Sequence, residues 1–103
     1  MNTPDRWIII SIKDPSTGDS FKKILCSYYG GYLGSDSWKI SSSIEQEEKD
    51  EAGYIFTTLS GSQYYCRFTS YGVSGMMCSI LNEMQQIEGA EITVEEEYGK
   101  SDS

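Results

Sequence analysis

The chain has 103 residues, enough for one domain with a modest core and no metal or disulfide support. Hydrophobic residues make up 38% and aromatics 13%, which excludes a disordered chain. A net charge of -8, from 8 Lys/Arg against 16 Asp/Glu, argues against nucleic acid or anionic membrane as direct partners and suits solubility or a basic protein partner.

Residues 1–103 read as a single domain, with frayed ends at 1–5 and 99–103. The longest apolar run, Trp7-Ile8-Ile9-Ile10, falls far short of the roughly 20 residues of a membrane span. The opening "MNTPD" lacks the charged and apolar regions of a signal peptide, so a cytoplasmic location is expected.

Residues 7–12 form the first predicted strand. Ile8, Ile10 and Ile12 share one face; Trp7 and Ile9 share the other. Both faces are apolar, which suits an interior strand. "KDPSTGD", residues 13–19, carries turn dipeptides. Residues 21–29 follow as a second strand and pair with the first as a hairpin, with Ile24, Cys26 and Tyr28 inward and Lys22 at a strand end.

"GGYLGSDS", residues 30–37, reads as a loop. Residues 38–44 alternate apolar and polar and predict a half-exposed third strand. "EQEEKDEAG", residues 45–53, holds six charges, five of them negative, and reads as a solvated connection. Residues 54–59 and 63–68 predict a fourth and a fifth strand, joined by a two-residue loop at Ser60-Gly61. Their many aromatics read first as core and cross-strand packing.

Ser74 predicts a helix N-cap. Met77, Ile80, Leu81, Met84 and Ile87 then form one stripe at helical spacing, ending at Gly89. "AEITVEEEY" is the last predicted strand. Its four glutamates place it at or near a sheet edge, where like charge blocks edge-to-edge pairing.

The order β-β-β-β-β-α-β predicts an α+β domain: a twisted, barrel-like antiparallel sheet of five to six strands with one amphipathic helix on one face. One helix cannot cover such a sheet. A homodimer through the remaining face is therefore expected, with Trp7, Ile9, Tyr65 and Arg67 as the candidate interface.

The chain has no histidine, which removes His-dependent triads, His-bearing zinc sites and the commonest general base. Cys26, Cys66 and Cys78 match no zinc spacing and no secreted disulfide framework. They read as reduced core thiols. Cys78 lies near the helix start, but its neighbours Met77 and Ile80 predict burial. "GGYLG" is followed by neither a helix start nor Lys-Ser/Thr, so no nucleotide loop is present. No cofactor, metal or catalytic residue is assigned. "YYCRF" superficially suits an RNA-binding sheet, but the element order and the charge are both wrong for one.

The run "SGSQYYCRFTSYGVSGMMCSILNEM", residues 60–84, resembles a pattern in small uncharacterised bacterial proteins of mobile-element genes, such as integron cassettes and phage accessory genes. In them a strand pair containing Gly-Ser-x-Tyr leads through Tyr-Gly into an apolar helix. The resemblance covers about a quarter of the chain. It implies an accessory protein that binds another macromolecule, and it transfers no site residue.

The favoured reading is a small acidic, non-enzymatic, self-associating interaction module. One alternative is an acidic inhibitor or DNA mimic acting on a basic nucleic-acid-binding protein, through a patch of Glu45, Glu47, Glu48, Asp50, Glu95 and Glu97. The bland reading of those same glutamates is solvated surface. The other alternative is a small-ligand binder or enzyme with a pocket lined by Tyr28, Tyr32, Trp38 and Tyr64.

Overall fold

The computed structural model describes residues 1–30, 36–87, 89 and 91–100. Its strands are β1 (Arg6–Lys13), β2 (Ser20–Tyr28), β3 (Ser37–Ile40), β4 (Ile44–Lys49), β5 (Gly53–Thr58), β6 (Gln63–Arg67) and β7 (Glu91–Val94). The helix α1 (Gly75–Gln85) lies between β6 and β7, and short 3-10 turns cover Phe68–Ser70 and Glu96–Lys100.

The strands form two antiparallel sheets, ordered β3-β2-β1-β7 and β4-β5-β6. The single barrel-like sheet expected from the sequence is therefore incorrect, and neither sheet closes. The reason lies in residues 41–43, three serines read above as part of one strand. Ser41 is buried, and its hydroxyl accepts from the Ile24 amide at 2.9 Å and donates to the Ser42 carbonyl at 2.7 Å. Ser43 already belongs to the second sheet, where its carbonyl accepts from the Leu59 amide at 2.8 Å. Serine side chains that bond locally in this way compete with a regular ladder. The chain crosses from one sheet to the other there. The "solvated connection" that follows is in fact β4, an edge strand.

The result is three layers. Odd positions of β1 and even positions of β2 face the second sheet: Trp7, Ile9, Ile24 and Cys26 pack against Tyr54, Phe56, Tyr64, Cys66 and Tyr98. The alternate set, Ile8, Ile10 and Leu25, faces α1 and packs with Met77 and Ile92. A strand buried on both faces reads as a continuous apolar run, which explains "WIII". Trp7 anchors the inter-sheet core. Its ring meets Tyr71 at 4.9 Å and Tyr54 at 6.0 Å in edge contacts, and its indole N–H donates to the Arg67 carbonyl at 2.7 Å.

Local details follow from chemistry legible in the chain. The β1–β2 loop closes through the Asp14 amide donating to the Asp19 carbonyl at 2.8 Å. The Asp14 carboxylate accepts from the Ser16 hydroxyl and amide, which lowers its pKa. Ser74 caps α1, accepting from the Met77 amide at 3.3 Å. The helix ends at Gln85, so Ile87 is exposed and outside the stripe. The β5–β6 loop has three residues, not two: the Thr58 amide donates to the Ser62 carbonyl, and Gly61 takes φ +88°. That is the turn-plus-bulge form of a hairpin, and glycine supplies its left-handed position.

Within residues 1–5, Asn2 bridges Tyr64 of β6, with the Tyr65 amide donating to its carbonyl at 2.7 Å, and Pro4 is buried. Among the described residues, no helix is long and apolar enough to cross a membrane.

Candidate functional site

β2 outruns its neighbour. β3 pairs with it only from Leu25 to Tyr28, and Ser41 caps Ile24. Residues 20–23 pair with β1 on one side, and no described strand pairs with them on the other. Opposite them lies β4, which pairs with β5 on one side and ends its sheet on the other. Between these two edges runs a groove of about 420 Å³, walled by residues 20–22 and 43–47. Both open edges follow from one event, the departure of the chain at residues 41–43.

Tyr98 bridges the edges beside the groove. Its hydroxyl donates to Glu47 Oε1 at 2.7 Å and accepts from Lys22 Nζ at 3.1 Å. Its ring packs edge-on against Tyr54 at 5.2 Å and Phe56 at 5.8 Å, inside the inter-sheet core. Burial, reinforced by the bond to Glu47, pushes the phenol up to about 12. The bond to Tyr98 in turn raises the Lys22 ammonium pKa. Lys22 also pairs with Glu97 at 3.6 Å, and Glu95 contributes to the same field.

The mouth is thus a Lys22–Tyr98–Glu47 chain flanked by further carboxylates. Glu47, Glu95 and Glu97 come together there, although about fifty residues separate β4 from the C-terminal turn. Glu45, at a bulge in β4, lines the groove wall. The remaining acidic candidates sit apart: Glu48 pairs with Ile55, on the outer face of the second sheet. Asp50 is spent on the β4–β5 turn: it accepts from the Ala52 and Gly53 amides and from the Tyr65 hydroxyl, which lowers its pKa.

The aromatic pocket expected from the sequence is divided by the sheet. Tyr28 and Tyr64 lie on the inter-sheet side, where Lys39 sits 5.5 Å over the Tyr64 ring. Trp38 pairs with Ser27, whose face is that of Leu25 and α1, and it is 44% exposed. Tyr64 is fully buried and fills core. Tyr32 lies outside the described residues. Burial raises the Tyr28 phenol, whose oxygen accepts weakly from the Cys26 thiol.

The expected sheet-face interface is also rearranged. Trp7 and Ile9 are fully buried, because the second sheet of the same chain covers that face. Tyr65 and Arg67 lie on the opposite, outer face of that second sheet, Tyr65 half-buried and Arg67 exposed. Cys78 is exposed, contrary to the burial expected of it, because it falls one position off the stripe of Met77, Ile80, Leu81 and Met84.

A second notch, of about 460 Å³, is lined by Ile8, Tyr71, Gly72, Val73, Val94, Glu96 and Gly99, with Tyr71 and Glu96 as its polar side chains. Among the described residues, no group of three His, Cys, Asp or Glu could hold a metal ion. Sequence reasoning missed Tyr98, which sits in a tail of glutamates. The signal was there: it is the lone aromatic after Tyr71, in a segment otherwise polar beyond Val94.

Comparison with protein-family models, curated proteins and solved structures finds no match. The chain is a compact α+β domain with a buried Trp/Tyr cluster.

Proposed function

We propose that this domain is a protein-binding module that engages a basic partner through the carboxylate-bearing mouth between its sheets. The observation that carries this reading is the convergence of Glu47, Glu95 and Glu97 around Lys22 and Tyr98. One lysine stands against three carboxylates there, on a chain of net charge -8. Such a surface steers a basic partner in and repels acidic ones. A basic protein that otherwise grips the nucleic-acid backbone is the partner class whose charge fits best, since carboxylates can occupy the positions of phosphates.

Self-association loses the basis it had in the sequence, because the apolar faces of the four-stranded sheet are covered by α1 and by the second sheet. The resemblance of residues 60–84 to mobile-element accessory proteins is compatible with a binding role and adds no residue to it.

The test is capture from a lysate with the wild-type chain and with a Glu95→Gln, Glu97→Gln variant. Neither side chain belongs to a core cluster, and Glu47 is left to hold Tyr98. The expected result is a basic protein retained by the wild type, released by salt, displaced by duplex DNA and lost with the variant. Equal retention by the variant would sink the reading.

A further inference from the structure

We infer that the partner docks by strand addition: an extended segment, alternating apolar residues with Lys or Arg, pairs its backbone with the open edge of β4. This rests on the basic-partner reading and specifies how that partner is held.

The edge is available. β6 has its outer edge covered by Asn2, through the Asn2 amide to the Gln63 carbonyl at 2.9 Å and the Tyr65 amide to the Asn2 carbonyl at 2.7 Å. No described strand does the same for β4. An edge strand offers a row of donors and acceptors to any extended chain of suitable side chains. The groove beside β4 supplies the room, and its far wall is the likewise open stretch of β2.

The side chains select the occupant. Phe21, 45% exposed, and Ile44 offer apolar surface, while Glu45 and Glu47 offer carboxylates. Alternate side chains of an incoming strand point to opposite faces, so one set enters the groove beside Ile44 and Glu47 on the inner face of β4, and the other meets Glu48 on the outer face. A second copy of β4 is disfavoured, because glutamate would face glutamate. The bulge at Glu45 and the charges of β4 are the usual defences against nonspecific edge pairing, and here they leave a basic strand as the complement.

The test uses the full chain, 15N-labelled, and a capped synthetic peptide of about six residues alternating Lys and Val, a typical strand length. Two further versions are N-methylated at every Val or at every Lys. Charge is unchanged, but each loses the donors of one edge. Strand addition predicts shifts confined to β4 and residues 20–23, slowed amide exchange in β4, and a loss of about tenfold or more in affinity for at least one methylated version. If both methylated versions bind as tightly as the parent, strand addition is overturned while the basic-partner reading stands. Absence of binding by the parent peptide, or shifts centred on another surface, also overturns it.

Discussion

The Tyr98 hydroxyl donates a 2.7 Å hydrogen bond to the Glu47 carboxylate, tying the C-terminal turn to the edge strand of the second sheet. With Lys22 on the same oxygen at 3.1 Å, this one phenol joins β2, β4 and the chain end. The ring is held by the core whatever the hydroxyl does. Tyr98→Phe therefore keeps the packing and removes only the polar bridge. Hydrogen bonds to charged groups contribute about 1.5–3 kcal/mol, and the exposure of Glu47 discounts this to about 1 kcal/mol. Tyr98→Ala additionally empties core and costs about 3–5 kcal/mol. Urea denaturation of both variants gives the comparison. Equal losses would mean that the ring contributes nothing beyond its hydroxyl.

The same phenol makes stability depend on alkaline pH. Its folded value, about 12, lies above the ordinary tyrosine value of 10.0. The unfolded chain therefore gives up this proton first as pH rises. The contribution is fully present below pH ~10 and is lost between there and ~12. Tyr54 and Tyr71, raised by burial, act in the same direction. Stability should fall steeply over that window, and Tyr98→Phe should make the fall shallower. A variant slope equal to that of the wild type would show that Tyr98 ionises alike in both states.

Much of the first sheet was legible because its residues obey a period. Ile8, Ile10 and Ile12 against Trp7 and Ile9 announce a two-faced interior strand, and Ser74 with Met77, Ile80, Leu81 and Met84 announces the helix. β7 was placed at an edge by its glutamates, and it is one. What escaped is what has no hydrophobic period. β4 has one apolar residue, Ile44, and five polar ones, because its outer face is solvated and its inner face ends at the mouth. It is a strand through backbone pairing with β5, which composition does not record. The groove escaped for the same reason, since it exists only because the chain changes sheets at the serines. Sequence could list Glu47 and Glu97 as acidic, but only the fold of the tail over the core brings them to one hydroxyl.

Thiol reactivity separates the cysteines. Cys78 is exposed on α1, whereas Cys26 and Cys66 face the inter-sheet core. Burial pushes the Cys26 thiol up to about 11 and raises Cys66 as well, so neither supplies thiolate near neutrality. An aromatic disulfide reagent at neutral pH should label one thiol in the folded protein and all three in denaturant. Cys78→Ser should abolish the folded-state reaction. Rapid labelling of the other two would show that the sheets part readily.

Three glycines should respond to alanine in three different ways. At Gly53 a Cβ would lie 2.6 Å from the Cys66 carbonyl oxygen and 2.8 Å from the Arg67 Cα. Both are backbone atoms of the paired strand β6, so β5 must move away from it. The cost should be about 2–3 kcal/mol or more. At Gly61 nothing lies within 4 Å, but φ is +88°, and the left-handed position costs an alanine about 1–2 kcal/mol. Gly75 opens α1 with free space around it and an ordinary φ. Alanine there should stabilise by about 0.4–1 kcal/mol, through the lower entropy of the unfolded chain. Urea midpoints at unchanged slope would rank the three. A Gly53→Ala variant as stable as Gly61→Ala would mean that the β5–β6 pairing has slack that its geometry does not show.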